Sequence, residues 1–505
     1  EFQIFDSASP ALKTSLQSFL LQYLGRCPPQ TSSLALKACA VAVGFMGKSL
    51  MLDAEDLSSA MSSYPDLLST LSSTLLNSSS SPISRLAAMR ALGSGVIEGI
   101  ARHFSANPES QYHADFQTQV QSACLSTLTS ALSDDHFLVR REAMRTSSTF
   151  LQILPTDELR SYFAPLVSTQ ITMCVNHITS PHTTPDHYDL SVALLENLVE
   201  LVSCGFFITL AHLPAISQMC FVAVRPPSPP DKDLDSVRQL ALELALTIAE
   251  CNSSYCRSLS LPSDPPSPFY EHLLDSCFTF LLEPSTEEST EEWVAAESSA
   301  FDAIDIDHAE IGQDALTRSI ICLTPSTMIP PTFSKIHSLL NGPTALHHHA
   351  ALSSLSCTSS YMTDIQTQNQ AISATLPFFS PTSPLSPSPQ VTFAAIKCIS
   401  IMSESFSPTI QETHHKAIIT ALLHHTSKAN TDAARIRSAA ISALSTFIEL
   451  TPMSIASAYI EPILGRLVTA ISEGPIIVVE SAITGIASVA SSNRSNFDSY
   501  YPAIA

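Results

Sequence analysis

Apolar residues recur along this chain at helical spacing. In Thr431 to Ile448 they are Ile436, Ala439, Ala440, Ala443, Leu444, Phe447 and Ile448, and in Gly474 to Ala490 they are Val479, Ala482, Ile483, Ile486 and Ala490. Steps of three and four put each set on one wide stripe of a 3.6-residue helix. The same phrase, a turn with Pro or Asp and then a helix with paired small residues at its centre, also opens at Ser81, Asp134, Asp235, Pro343 and Pro389. With the central small residue as a ruler, Ala350, Ala394, Ala439 and Ala482 lie 44, 45 and 43 residues apart. Earlier copies, near Ala88, Ala143, Ala193 and Ala241, are less evenly spaced.

A second helix follows each phrase after a short break, as in Ser407 to Thr426 and Pro452 to Ile471, the latter with Ile455, Ala458, Tyr459, Ile463 and Leu467 on one side. The repeating unit is therefore a helical hairpin. Pro- and Ser-rich stretches (226–230, 262–268, 378–389) fall between copies, where proline removes no needed hydrogen bond. One hairpin cannot cover so wide an apolar stripe, but stacked neighbours can, and a period of roughly 40 to 47 residues is that of HEAT and armadillo arrays. The chain is expected to be all-α, an α-α superhelix of HEAT repeats. At 505 residues it is also too long for one compact core. The expected divisions are 1–257, N-terminal HEAT-like repeats; 258–323, a repeat carrying an acidic loop; and 324–505, further repeats.

Composition narrows the function. With 12 Gly, one Trp and no Gly-rich strand–turn–helix pattern, the chain lacks a nucleotide loop. It has neither a G-x-S-x-G turn nor a recognisable carboxylate triad, so no enzyme is expected. Its 12 cysteines are scattered, many through apolar helical stretches (Cys39, Cys124, Cys220, Cys322, Cys398), without a C-x-x-C pair, as in a reducing compartment. Cys251 and Cys256 have no His or Cys pair at zinc-finger distance. The runs His347 to His349, His414-His415 and His424-His425 invite a metal reading, but adjacent side chains on a helix diverge by about 100°. No metal and no cofactor are expected. The longest apolar run, Gly205 to Val224, is interrupted by His212, Pro214 and Gln218 and reads as core, so no membrane insertion is expected. No basic-then-apolar leader opens the chain at Glu1.

Charge is concentrated. The net charge is −22, and residues 258–317, with 14 acidic residues and no Lys or Arg, carry −14 of it. This argues against direct nucleic-acid binding and for basic partners. Within it, Glu283 to Asp314 is too polar and too crowded with like charge to pack as a core. The plain reading is a solvated loop; the functional one is a polyanion that attracts basic ligands. Trp293, the one tryptophan, is expected chiefly to anchor this loop, or else to touch a partner.

Several local phrases carry a family resemblance. Arg238 to Glu250 (RQLALELALTIAE), the acidic insertion centred on Glu291-Glu292-Trp293, Gln313 to Leu323 (QDALTRSIICL), Thr375 to Phe379, His415 to Leu423 (HKAIITALL) and Ile483 to Ile504 occur in an order that resembles the importin-β3 (importin-5, karyopherin-β3) family over Ala164 to Ala505. Thr344 to His349 (TALHHH) departs from it, standing where the family has basic and aromatic residues, and the family chain extends beyond both ends of this one.

The resemblance implies a nuclear import receptor, shuttling between cytoplasm and nucleus. Such a receptor binds basic localisation signals of cargo on a concave face and releases them when Ran-GTP binds; nucleoporin FG repeats are further implied partners. It assigns Ran or cargo contacts to the acidic loop (Glu287, Glu288, Glu291, Glu292, Trp293, Glu297, Asp302, Asp305, Asp307). It assigns cargo contacts to the inner helices (Asp364, Gln368, Asn369, Glu412, Glu461, Asp498). The competing reading is a non-transport HEAT-repeat scaffold for a phosphatase, microtubule or translation-regulator assembly.

Overall fold

The computed structural model describes residues 10–26, 33–77, 79–105, 108–180, 184–204, 207–227, 231–262, 265–283, 290–295, 308–383, 385 and 387–492. The chain divides into two units, Glu1–Asn252 and Ser253–Ala505.

In the first unit the helices are α1 (Pro10–Arg26), α2 (Ser33–Leu52), α3 (Leu57–Ser63), α4 (Leu67–Leu76) and α5 (Pro82–Ala91), which passes through a π-helical turn (Leu92–Val96) into α6 (Ile97–Ala101). They continue as α7 (Gln111–Leu132), α8 (Phe137–Ile153), α9 (Asp157–Tyr162), α10 (Ala164–Ile178), α11 (Pro185–Ser203), a 3₁₀ turn (Phe207–His212), α12 (Leu213–Ala223) and α13 (Asp235–Cys251). Two layers result. Helices α2, α5, α8, α11 and α13 pack each on the next, and α4, α7, α10 and α12 do the same beside them. In the run Gly205 to Val224, Leu213, Ile216, Met219 and Cys220 are buried as core, while Phe207 and Val222 are exposed.

By length and composition α2 is apolar enough, over Leu34–Leu52, to cross a membrane. Its apolarity is used in packing. A Cβ added at Gly44 would lie 2.5 Å from the Ser94 Cβ and 2.7 Å from the Ala91 carbonyl oxygen, so α2 meets the π turn nearly backbone to backbone. Across this crossing Lys48 Nζ reaches Glu98 Oε2 at 2.5 Å. Gly95, at φ 140°, lets the turn form where a side chain would be strained.

In the second unit α14 (Ser253–Ser258) leads to two short antiparallel strands, β1 (Ser260–Leu261) and β2 (Ser267–Pro268). Then come α15 (Phe269–Leu281), α16 (Thr290–Ala295), α17 (His308–Leu323), α18 (Pro325–Leu340), α19 (Ala345–Ser359), α20 (Ile365–Thr375), α21 (Pro389–Ser405) and α22 (Thr409–His425). Last are α23 (Ala434–Glu449), α24 (Met453–Ala456), α25 (Ile460–Glu473) and α26 (Ile476–Ser492). Helices α17, α19, α21, α23 and α26 pack each on the next and form the first layer; α18, α20, α22 and α25 flank them, α20 against α22. The fold is that of an all-α, HEAT-repeat solenoid.

The ruler alanines sit where the stacking needs small residues: Ala350, Ala394 and Ala482 are buried in α19, α21 and α26. In α23 the contact shifts by one, and Ala440 is buried while Ala439 is half-covered. Ser-Pro pairs start α5 and α21. The Ser81 hydroxyl accepts from the Ser84 N–H at 3.1 Å and the Ser388 hydroxyl from the Val391 N–H at 3.4 Å. The proline that follows each has no N–H to leave unpaired.

One expected helix is broken. Pro452 to Ile471 forms α24 and α25 with a turn between them, and Ala456 and Ile460 are buried in place of the exposed Ala458. Pro462 explains the break, because in an unbroken helix its ring would strike the carbonyl of residue 458, whereas the first turn of α25 tolerates it.

Candidate functional site

The acidic insertion leaves the stack between α15 and α17. Its base is pinned: Glu283 Oε2 and His308 Nδ1 are 2.9 Å apart, and the His308 ring meets Phe280 edge-on at 5.7 Å. A six-residue helix has too few internal bonds to stand alone. Tertiary contact therefore holds α16, and it rests on α21 and α23, two hairpins further along. The contact is made by Trp293. Its ring stands edge-to-face on Phe393 at 5.5 Å, and the Arg435 guanidinium lies 5.4 Å over it. Lys397 Nζ is 5.5 Å from the same Phe393 ring. Desolvation lowers the Lys397 pKa, and Glu310 opposes that shift.

Trp293 thus has the anchoring contact expected of it, though not on its own repeat. Glu291 and Glu292 are exposed on α16. Glu287, Glu288, Glu297, Asp302, Asp305 and Asp307 lie outside the described residues, as does Asp498. Local pattern could not reveal Phe393, Lys397 or Arg435 as the seat. A signal was present nonetheless, in the two arginines, Arg435 and Arg437, that open a helix otherwise built of small and apolar residues.

A second polar surface follows the α20–α22–α25 side. Asp364 is the N-cap of α20 and accepts from the Thr367 N–H at 2.8 Å. Bonds from Thr367 hold its carboxyl below the usual range, so it stays ionised. Glu412 lies in the first turn of α22 and Glu461 in the first turn of α25, both exposed. Each of these three helices therefore begins with a carboxylate.

One face of α20 presents Ile365, Gln366, Asn369, Gln370 and Ser373 to an open depression of about 680 Å³. Ile365 is 61% exposed. Gln368 does not share that face, being buried with its amide donating to the Met362 carbonyl at 2.9 Å.

The histidines of α22 behave as their spacing predicts. His414 Nε2 meets Asn369 Oδ1 at 3.0 Å, toward α20, while His415 Nδ1 meets the Tyr459 hydroxyl at 2.9 Å, in the turn before α25. Neighbours in sequence serve opposite neighbours in space. Burial pushes the His414 pKa down. Among the described residues no group of three or more His, Cys, Asp or Glu is arranged to hold a metal ion. Burial also raises the thiols of Cys39 to about 11 and of Cys124 and Cys398 to about 12, which removes them as nucleophiles near neutral pH.

No family model matches the chain. The importin subunit beta-3 of Saccharomyces cerevisiae is 23% identical over 318 residues, 62% of this chain and 27% of that protein. Crystal structures of Kap121p share the fold. A mutant of it superposes with a TM-score of 0.73 at 18% identity, over 100% of this chain and 50% of that one. Kap121p bound to Nup53p gives 0.72 at 19%, over 98% and 47%. Kap121p bound to RanGTP gives 0.70 at 20%, over 97% and 46%. The resemblance to the importin-β3 family read from the sequence thus recurs in a curated relative and in the fold, and the chain spans about a quarter of that relative and half of the solved chains.

Proposed function

We propose that this chain is the cargo-binding part of a nuclear import receptor of the karyopherin-β type. In this reading it is a binding protein rather than an enzyme. It takes basic localisation signals on the α20–α22–α25 surface and releases them when Ran-GTP binds, moving between cytoplasm and nucleus. The observation that carries the reading is the carboxylate at the start of each of these helices, Asp364, Glu412 and Glu461. Spaced charges suit an extended peptide with several Lys or Arg side chains, and the amides of Asn369 and Gln366 beside the exposed Ile365 suit its backbone and apolar positions. Nucleoporin FG repeats are assigned to the first-layer helices, where Ile321 and Ile483 stand 62% and 56% exposed. The acidic insertion serves basic partners, through Glu291 and Glu292 where it is described.

Titration with a Lys-rich localisation-signal peptide, at two salt concentrations and with or without Ran loaded with a non-hydrolysable GTP analogue, tests this. Salt-sensitive binding that Ran-GTP reverses is the expected result. No peptide binding at low salt overturns the reading in favour of a scaffold.

A further inference from the structure

The seat of Trp293 has the composition of a binding site. Phe393 supplies an aromatic wall, Arg435 a cation over the indole, and Lys397 a second cation over the Phe393 ring. Arg435 is 7% exposed, so its guanidinium is a built part of α23 and not a passing surface side chain. What fills the site is an acidic and aromatic segment, Glu291-Glu292-Trp293, which follows a different hairpin. A cationic-aromatic surface and an acidic-aromatic segment complement each other in both charge and shape.

We propose that α16 is a ligand bound in cis to a cation–aromatic patch on α21 and α23, and that seating Trp293 there withholds the carboxylates of α16 from basic ligands. The second half rests on the receptor reading. Docked, Glu291 and Glu292 share a six-residue helix with Trp293, whose ring the Arg435 guanidinium covers at 5.4 Å, and a cation held that near the helix opposes their pull on a Lys-rich peptide. The carboxylates are exposed in both states, and undocking takes them away from the cation held at that seat. Arg435 and a basic ligand therefore compete for one set of charges, and the ligand's apparent affinity falls by the fraction of chains that are undocked.

The one tryptophan of the chain is its own reporter. Excited selectively, the wild-type protein should emit to the blue of free N-acetyltryptophanamide and resist acrylamide quenching. Phe393→Ala and Arg435→Ala should move emission and quenching toward the free indole while far-UV circular dichroism keeps the helical signal. Wild-type emission equal to that of the free indole, or emission unmoved by both substitutions, overturns the docking.

Trp293→Ala leaves α21 and α23 untouched and should raise affinity for a Lys-rich peptide by roughly five- to seventyfold, the scale of one aromatic and one cation–π contact. Unchanged or weaker binding overturns the withholding. A peptide that binds neither protein overturns the receptor reading and the withholding with it, while the emission experiment still decides whether α16 docks.

Discussion

Neutralising the carboxylates that open α20, α22 and α25 should weaken peptide binding without unfolding the surface that carries them. The substitutions are Asp364→Asn, Glu412→Gln and Glu461→Gln. Asparagine matters at the first position, because the Asp364 side chain caps α20 through the Thr367 N–H, and Asn caps about as well as Asp. The helix keeps its start and only the charge goes. All three residues are exposed, so each pairs with a ligand cation in a high dielectric, where an ion pair contributes about 1.4- to fivefold in affinity. Together they should weaken a Lys-rich peptide by roughly tenfold, and the loss should shrink as salt screens the remaining attraction.

A charge-matched control removes Glu404, Glu449 and Glu480 as glutamines. These three are exposed on the first-layer helices α21, α23 and α26. Isothermal titration at low and moderate salt reads both triples. If the control weakens binding as much as the test, the peptide responds to net charge and not to this surface. If neither does, the carboxylates serve their helices alone.

Other expectations follow from single contacts. Arg85 and Asp134 form a two-pronged pair at 2.6 and 3.0 Å with side chains 10% and 6% exposed, so Asp134→Asn should cost about 3 kcal/mol in urea unfolding by leaving a buried cation uncompensated. Burial alone would raise Asp134, but Arg85 and the His136 N–H outweigh it and hold its pKa below 3.8; the pair's contribution is therefore complete above about pH 4 and lost as pH falls through the folded value, and a variant-to-wild-type gap that does not narrow at low pH refutes the assignment. Gly44→Ala should destabilise the first unit by about 1 to 3 kcal/mol, since its Cβ meets the Ala91 carbonyl, and an unchanged unfolding midpoint would show that α2 can move away. Thr324, alone between α17 and α18, sits at φ 73°, so Thr324→Gly should hold or raise the midpoint while Thr324→Ala, still strained and without the hydroxyl near Ser326 and Thr327, should lower it.

How much of this was legible depended on the range of each interaction. Stacking is periodic, so Ala350, Ala394 and Ala482 betrayed it to a ruler. The break before α25 was local too, and Pro462 marked it; the reading as one helix failed because the apolar residues on either side of the turn happen to keep a helical step. Asp364 and Gln368 look alike as polar residues at one helix start, yet one caps in solvent and the other is buried on the Met362 carbonyl. Only the rotation of α20 against its neighbours separates them. The partners of Trp293 were beyond any local pattern, since nothing near Glu291 says that Phe393 and Arg435 will come beside it.

The two helical layers of the second unit are held by different chemistry, and that difference bears on function. Between first-layer helices the contacts are chiefly small and apolar: Ala350, Ala395, Ala440 and Ala482 are fully buried, with the hydroxyl pairs Ser438 with Ser481 at 2.7 Å and Ser360 with Ser405 at 3.2 Å beside them, and separating the helices would expose apolar area with nothing to replace it. Along the second helices the links are polar pairs, His414 with Asn369 and His415 with Tyr459. Such bonds exchange with water at a net difference of only about 1 kcal/mol each. A ligand that offers its own donors and acceptors can take them over, and the helices can then shift while the first layer keeps its register. The polar layer is therefore where binding one partner can most cheaply change the fit for another. It is also the layer whose helices begin with Asp364, Glu412 and Glu461, so on this reading recognition and release draw on the same soft contacts.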